Sequence, residues 1–202
     1  MPLDAEALDR IFRTARTYRA WSPRLVTDET LRAVYELMKW GPTSGNCCPA
    51  RIVFVRTPDA KERLKPALDA GNVVQTMSAP ATAIIAYDLE FHDQLPLLVP
   101  HRDARSGFLG KPDLIRSTAY QSGTLQGAYL IIAARALGLD CGPMGGFDET
   151  KIKHAFDLPP EWAVAAVCAL GYPDEEFDRT LRKPLGDIVH WDRHGGSRMP
   201  AR

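Results

Sequence analysis

Four short stretches of this chain carry side chains whose types and spacing could do chemistry. Arg16-Thr17-Tyr18-Arg19 places two cations and a hydroxyl within one turn's length. Guanidinium forks suit phosphate oxygens and the electron-rich edge of a heterocycle, although bases after a helix also answer that helix's dipole. Gly41-Pro42-Thr43-Ser44-Gly45-Asn46 offers two hydroxyls, an amide and backbone N–H groups in one turn. Such a set can hold a phosphate or a polar ring edge, but Pro, Ser, Gly and Asn are also the ordinary residues of a turn. Gly142-Pro143-Met144-Gly145-Gly146-Phe147 lets a backbone approach a flat ligand closely; a tight connection between helices explains it equally well. Arg182-Lys183-Pro184 is a basic pair in a polar tail, which is also how a plain surface looks.

What the chain lacks narrows the chemistry. Its five histidines, His92, His101, His154, His190 and His194, lie in polar or loop contexts, and no serine-nucleophile motif accompanies them. Cys47, Cys48, Cys141 and Cys168 show neither C-x-x-C spacing nor a His/Cys ligand pattern, so reduced thiols without a metal are expected. No G-x-G-x-x-G follows a strand, which argues against a Rossmann nucleotide site. Loops suited to anions and rings, with no dedicated acid, base or nucleophile, point to a cofactor that carries the reaction while the protein holds and tunes it.

The elements that must position these loops can be read from periodicity. Helices are expected from Asp4 to about Thr14, from Thr27 or Asp28 to Gly41-Pro42, from Pro58 through Leu68, from Ser117 to Leu137 and from Asp148 to Phe156. Strands are expected over Arg51–Arg56, Ala81–Tyr87 and Ala163–Leu170. The irregular stretch from Asp88 to Pro112 is long enough to be a lid or wall of a site. Strands and helices mix without strict alternation, which predicts α+β rather than a doubly wound sheet. The 202 residues fit one domain, 1–202, with a polar tail from about residue 173. Basic and acidic residues balance at 25 each, giving no field for nucleic acid or an acidic membrane. The longest apolar run, around Ala128–Ala134, is too short for a membrane span, and the acidic N-terminus does not read as a secretory signal. A cytoplasmic protein is expected.

Taken in order, these segments resemble the nitroreductase family of flavoproteins. Ala15 to Trp21 matches its N-terminal Arg-x-Ser-x-Arg/Lys segment, Gly41 to Pro49 its Ala-Pro-Ser-Ser-x-Asn-x-Gln-Pro, Pro143 to Phe147 its Pro-x-x-Gly-Phe, and Arg182-Lys183-Pro184 its late basic segment. The resemblance runs from about Leu8 to about Leu185. It implies a mixed, mostly antiparallel sheet flanked by helices, and an intertwined homodimer whose C-terminal tail extends toward the partner. It also implies FMN as cofactor, NADH or NADPH as co-substrate, and ping-pong hydride transfer through the flavin N5. Arg16, Thr17 and Arg19 would hold the phosphate, ribityl chain and pyrimidine edge, with Arg182 adding a phosphate contact. Asn72 and Gln75 would lie near the ring, Pro143, Met144 and Gly145 along it, and Pro42, Thr43, Ser44 and Asn46 would reach it from the other subunit. The chain departs from the family pattern at Ala15, Cys48, Gly145 and Thr180, where a base, a Gln, a Glu and a Lys are usual.

The match is closest to a subgroup resembling malonic semialdehyde reductases, through Met38 to Ser44, Pro100 to Ser106 and Leu137 to Met144. That likeness implies Arg105 as anchor for a substrate carboxylate; an Asp103–Arg105 structural pair is the alternative. The acceptor is then a nitro compound, a quinone or a small aldehyde acid. A flavin-binding module without turnover is the reading from another class.

Overall fold

The computed structural model describes residues 1–176 and 178–191. Four strands, β1 (Ala50–Val55), β2 (Ala81–Asp88), β3 (Asp140–Met144) and β4 (Trp162–Gly171), form one sheet in the order β1-β2-β4-β3. All three pairings are antiparallel; the parallel element is one isolated bridge, Thr17 to Cys141, which adds the N-terminal segment to the free side of β3. The helices are α1 (Ala5–Leu8), α2 (Asp28–Met38), α3 (Pro58–Leu64), α4 (Ala70–Ser78), α5 (Leu95–Leu98), α6 (Pro112–Ala136), α7 (Glu149–Ala155) and α8 (Leu185–Ile188). The expected α+β class and antiparallel sheet with flanking helices are found.

Side chains alternate across each strand, and here both faces are covered. Ala83, Ile85, Cys168 and Leu170 face α2 and α6, packing with Val34, Met38, Leu130 and Ala134. Ile84, Val167 and Ala169 point the other way, to Leu64, Ile152, Met144 and Trp21. A third cluster, around Phe91, Leu95, Val99 and Ala119, closes the segment between β2 and α6 over Cys47. That segment, read as irregular, contains a short helical turn over Phe91–Gln94 and then α5.

Several boundaries differ from the sequence expectation. The first helix is α1 followed by a wider π turn, Asp9–Arg13. The third breaks at Lys65-Pro66, since proline cannot supply an N–H to the helix before it. The longest helix starts at Pro112, an N1 proline, not at Ser117. The largest correction concerns Gly142-Pro143-Met144, read as a loop but lying in β3. Edge strands tolerate proline, because its missing N–H lies on the side away from the neighbour. Helix α4, which carries Asn72 and Gln75, was not expected as an element; Gly71 within its first turn hides it. Among the described residues no helix is long and apolar enough to cross a membrane.

Candidate cofactor site

The residues around Arg16 are positioned by two edges meeting. After the π turn the chain runs extended along β3, with the Tyr18 N–H donating to the Cys141 carbonyl at 3.4 Å. Trp21 pairs with Pro173, and its indole Nε1 donates to the Gln75 carbonyl at 3.1 Å. Residues 16–21 are therefore held between β3, α4 and the start of the tail. Gly142 lets this happen, since a Cβ there would lie 2.6 Å from the Tyr18 carbonyl oxygen.

A cavity of about 670 Å³ opens on this segment and brings together Arg16, Thr17, Arg19 and Arg182 with Arg135, Arg179, Thr180 and Glu175. Its size falls within the usual range for small-ligand sites. Backbone carbonyls help to order the arginines. Arg16 Nη1 donates to the carbonyls of Thr14 (2.9 Å) and Ala15 (3.1 Å), and Arg179 Nη2 to those of Phe12 (2.9 Å), Arg13 and Ala15 (3.0 Å). Arg182 Nη1 donates to Thr180 Oγ1 at 3.1 Å. Glu175, the one carboxylate on the wall among the described residues, accepts from the backbone N–H groups of Arg19 and Ala20. Among the described residues five guanidinium groups thus meet one carboxylate, leaving a strongly cationic pocket.

Beneath it lies an ionic post. Arg10 donates to Asp140 (Nη1, 3.0 Å), the Leu139 carbonyl (Nη2, 2.8 Å) and the Arg135 carbonyl (Nε, 3.2 Å), tying the π turn to the end of α6 and the start of β3. The Asp140 side chain is 2% exposed. Burial pushes its carboxyl above the usual aspartate range, and Arg10 pulls it part of the way back. Burial, and next the Asp140 charge, likewise push the Tyr18 hydroxyl up. Arg135 Nε is buried with no hydrogen-bond partner among the described residues. A buried donor without a partner on the wall of a cationic cavity fits a site built for an anion.

At the far end of β3 the remaining ring candidates come together. Asn72 Nδ2 donates to the Gly146 carbonyl at 2.9 Å, Gln75 Nε2 donates to Asn72 Oδ1 at 2.9 Å, and Thr76 Oγ1 donates to Met144 Sδ at 3.5 Å. Pro143 and Gly145 are exposed while Met144 is buried, so the strand end presents alternate residues outward. A Cβ on Gly145 would meet nothing within 4 Å, which leaves open space beside the backbone.

Pro42, Thr43, Ser44 and Asn46 lie elsewhere. They lead into the start of β1, where the Ser44 N–H donates to Ser122 Oγ (3.2 Å) and Asn46 Nδ2 to the Leu98 carbonyl (3.1 Å). The Cys48 N–H donates to Thr43 Oγ1 at 3.2 Å, and buried Cys47 has its thiol pushed up by desolvation. β1 and β3 are the two edges of the sheet, and Ala50 lies six residues along the sheet from the level of Cys141. Standard sheet spacings put the two groups roughly 25 Å apart in one protomer.

Arg105, read as a carboxylate anchor or as the partner of Asp103, pairs instead with Asp93. Its Nε and Nη2 both contact Asp93 Oδ1, at 2.8 and 2.7 Å, while Asp103 accepts from the Ser106 N–H. Arg135, Arg179 and Glu175 were not singled out by sequence reasoning. Arg179 shares its tail with Arg182, but Arg135 reads as a base in the last turn of a helix and gives no further signal.

The fold is shared with several solved proteins. A provisionally named nitroreductase from Exiguobacterium sibiricum, solved with FMN, superposes with a TM-score of 0.85 at 21% identity, over 95% of this chain and 99% of its own. A provisionally named NAD(P)H:FMN oxidoreductase from Staphylococcus epidermidis gives 0.82 at 18% identity, over 95% and 98%. A gut-bacterial enone reductase of fatty-acid saturation gives 0.81 at 22% identity, over 95% and 100%. The sequence pattern of the Nitroreductase family matches residues 12–172, and the chain belongs to that family.

Proposed function

We propose that this chain is an FMN-dependent NAD(P)H oxidoreductase working as a cytoplasmic homodimer. The observation that carries the reading is the cationic cavity at one end of β3, with open space beside the Gly145 backbone just past the strand's other end. Arg16, Thr17, Arg19 and Arg182 hold the phosphate and ribityl end, with Arg179 and Arg135 added by the geometry. Asn72 and Gln75 lie beside the ring, Pro143-Met144-Gly145 runs along it, and Pro42, Thr43, Ser44 and Asn46 of a second copy complete the site. When bound, FMN supplies hydride transfer from NADH or NADPH to an acceptor that then takes the nucleotide's place.

The protein's own residues bind, orient and bias the charge. Fixed cations and amides act without reorganisation at the moment of reaction, and they are worth more where water is excluded. Arg19 has no ionic partner for its guanidinium among the described residues, so its charge is available to the cofactor.

Purified protein is expected to be yellow and to bleach anaerobically on addition of NADH or NADPH. Reoxidation by a quinone or nitroarene should follow. A colourless protein that ignores added FMN refutes the reading; one that binds FMN without bleaching is the non-catalytic module. Reduction of a small aldehyde acid, as in the malonic semialdehyde reductases, is the narrower form of this proposal. It requires a cation free to meet the carboxylate.

A further inference from the structure

Two arginines lie in the segment between β2 and α6, and the structure treats them differently. Arg105 directs Nε and Nη2 at the Asp93 carboxylate. Arg102 has no ion pair or side-chain hydrogen bond among the described residues, and its Nη2 would lie 3.6 Å from a Cβ built on Gly45. Asp93 and Asp103 of this segment are already engaged, Asp93 by Arg105 and Asp103 by the Ser106 N–H at 3.1 Å. The hydrogen bond from Asn46 Nδ2 to the Leu98 carbonyl fixes the loop against this segment, and the exposed Arg102 guanidinium stands beside Gly45 of that loop.

We infer that Arg102 makes the acceptor side of this site selective for carboxylate-bearing electron acceptors, with the Pro42–Asn46 loop supplying the neutral hydrogen-bonding groups around it. The inference rests on the proposed function, because it takes that loop to border the space the acceptor enters. An unpaired guanidinium next to hydroxyl and amide donors recognises a carboxylate by paired, charge-assisted hydrogen bonds. Arg105 cannot do so without first giving up Asp93. The aldehyde-acid reading therefore passes from Arg105 to Arg102.

A matched pair of acceptors isolates the effect: 4-nitrobenzoate and 4-nitrobenzyl alcohol differ in the carboxylate and share the reducible group. In the first step one NAD(P)H and one proton convert the nitro group to nitroso and release water. The acid-to-alcohol ratio of kcat/KM is expected to fall about tenfold or more in Arg102→Ala, mainly through KM for the acid, and to be partly kept in Arg102→Lys. The acid's KM in the wild type should rise with salt, as an exposed charge contact requires. The ratio should be unmoved in Arg105→Ala. Calorimetric titration of benzoate reads binding without turnover, and Arg102→Ala should weaken it by a similar factor. If the wild type reduces neither acceptor, the proposed function fails, and benzoate binding alone then judges Arg102. An unchanged ratio and unchanged benzoate binding in Arg102→Ala overturns the inference. So does a ratio that falls in Arg105→Ala instead.

Discussion

Gly142→Ala tests whether the contact between β3 and the Arg16–Arg19 segment is what builds the cationic cavity. The added methyl would lie 2.6 Å from the Tyr18 carbonyl oxygen and 3.3 Å from Trp21 Cζ2. Relief to an ordinary contact needs a shift of roughly 0.8 Å. β3 cannot supply it, being paired to β4 and packed on both faces, so the extended segment must move. The bond from the Tyr18 N–H to the Cys141 carbonyl, already 3.4 Å, is the first to go. Overpacking of this kind costs about 1–3 kcal/mol, and for a chain this size the apo Tm should drop by about 2–4 °C per kcal/mol. Arg16, Thr17 and Arg19 move with the backbone. Loss of one charge-assisted bond to phosphate, worth about 1.5–3 kcal/mol, weakens FMN binding about tenfold or more. Titration of apoprotein followed by flavin fluorescence reads the affinity, and a thermal melt reads the fold. Gly145→Ala is the contrasting variant. Its methyl meets nothing within 4 Å, so the apo Tm should stay within about 1 °C, while FMN binding weakens because the methyl occupies space beside the ring. Gly142→Ala protein that binds FMN within about twofold of wild type would refute the link between this contact and phosphate binding.

Two further outcomes follow from the pocket and the post beneath it. Arg179→Ala should weaken FMN binding about tenfold, comparably to Arg182→Ala, because it removes a cation and also frees the carbonyls of Phe12 and Ala15; both affinities, and their salt dependence, are read by the same titration. Asp140→Asn should cost about 1–2 kcal/mol at neutral pH, less than for a wholly buried pair because the Arg10 side chain is 39% exposed. Its pH dependence has a definite sign. With the folded carboxyl raised by burial, its contribution to stability is complete below the unfolded value near 3.9 and is lost as pH rises through the folded one. Wild type should therefore gain on Asp140→Asn as pH falls from 7 toward 4, measured by denaturant unfolding; a gap that narrows counts against a raised pKa.

What the sequence disclosed, and what it hid, divides along the range of the interactions. Thr57-Pro58 and Asp148 announce their helices because a cap acts within one turn: the Thr57 hydroxyl accepts from the Ala60 N–H and the Asp148 carboxylate from the Lys151 N–H. β2 was legible because a short apolar run buried on both faces has few other readings. β3 was not, because Gly142 and Pro143 carry the local signal of a turn, and only the distant Tyr18 carbonyl explains the glycine. The site divides in the same way. Arg16, Thr17, Arg19 and Arg182 sit in short motifs and were readable; Arg135 joins them through the fold of α6 over 116 residues of chain from Arg19, and no local pattern marks it. Arg105 shows the opposite case. The sequence left open a carboxylate anchor or a pair with its neighbour Asp103, but the loop turns so that Asp93, 12 residues away, takes its Nε and Nη2 donors.

The separation of the two half-sites leads to a test of the assembly that does not depend on the acceptor. Within one protomer the Arg16–Arg19 segment borders β3 and the Pro42–Asn46 loop enters β1, the opposite edge of the same sheet. A ligand the size of a mononucleotide cannot bridge roughly 25 Å of packed sheet, so a site using both must draw them from two chains. Arg19→Ala and a Ser44→Ala/Asn46→Ala double variant should each lose FMN retention as homodimers. Mixed by co-expression, they pair at random. Each mixed dimer then holds one site with both halves altered and one with both halves intact, so about a quarter of all sites regain wild-type affinity. If each protomer built its site alone, every site in the mixture would carry an alteration, and no tight fraction would appear in the titration. Recovery of that fraction would show that cofactor binding and dimerisation are one event, in which case dilution below the dimer's dissociation constant should also release the flavin.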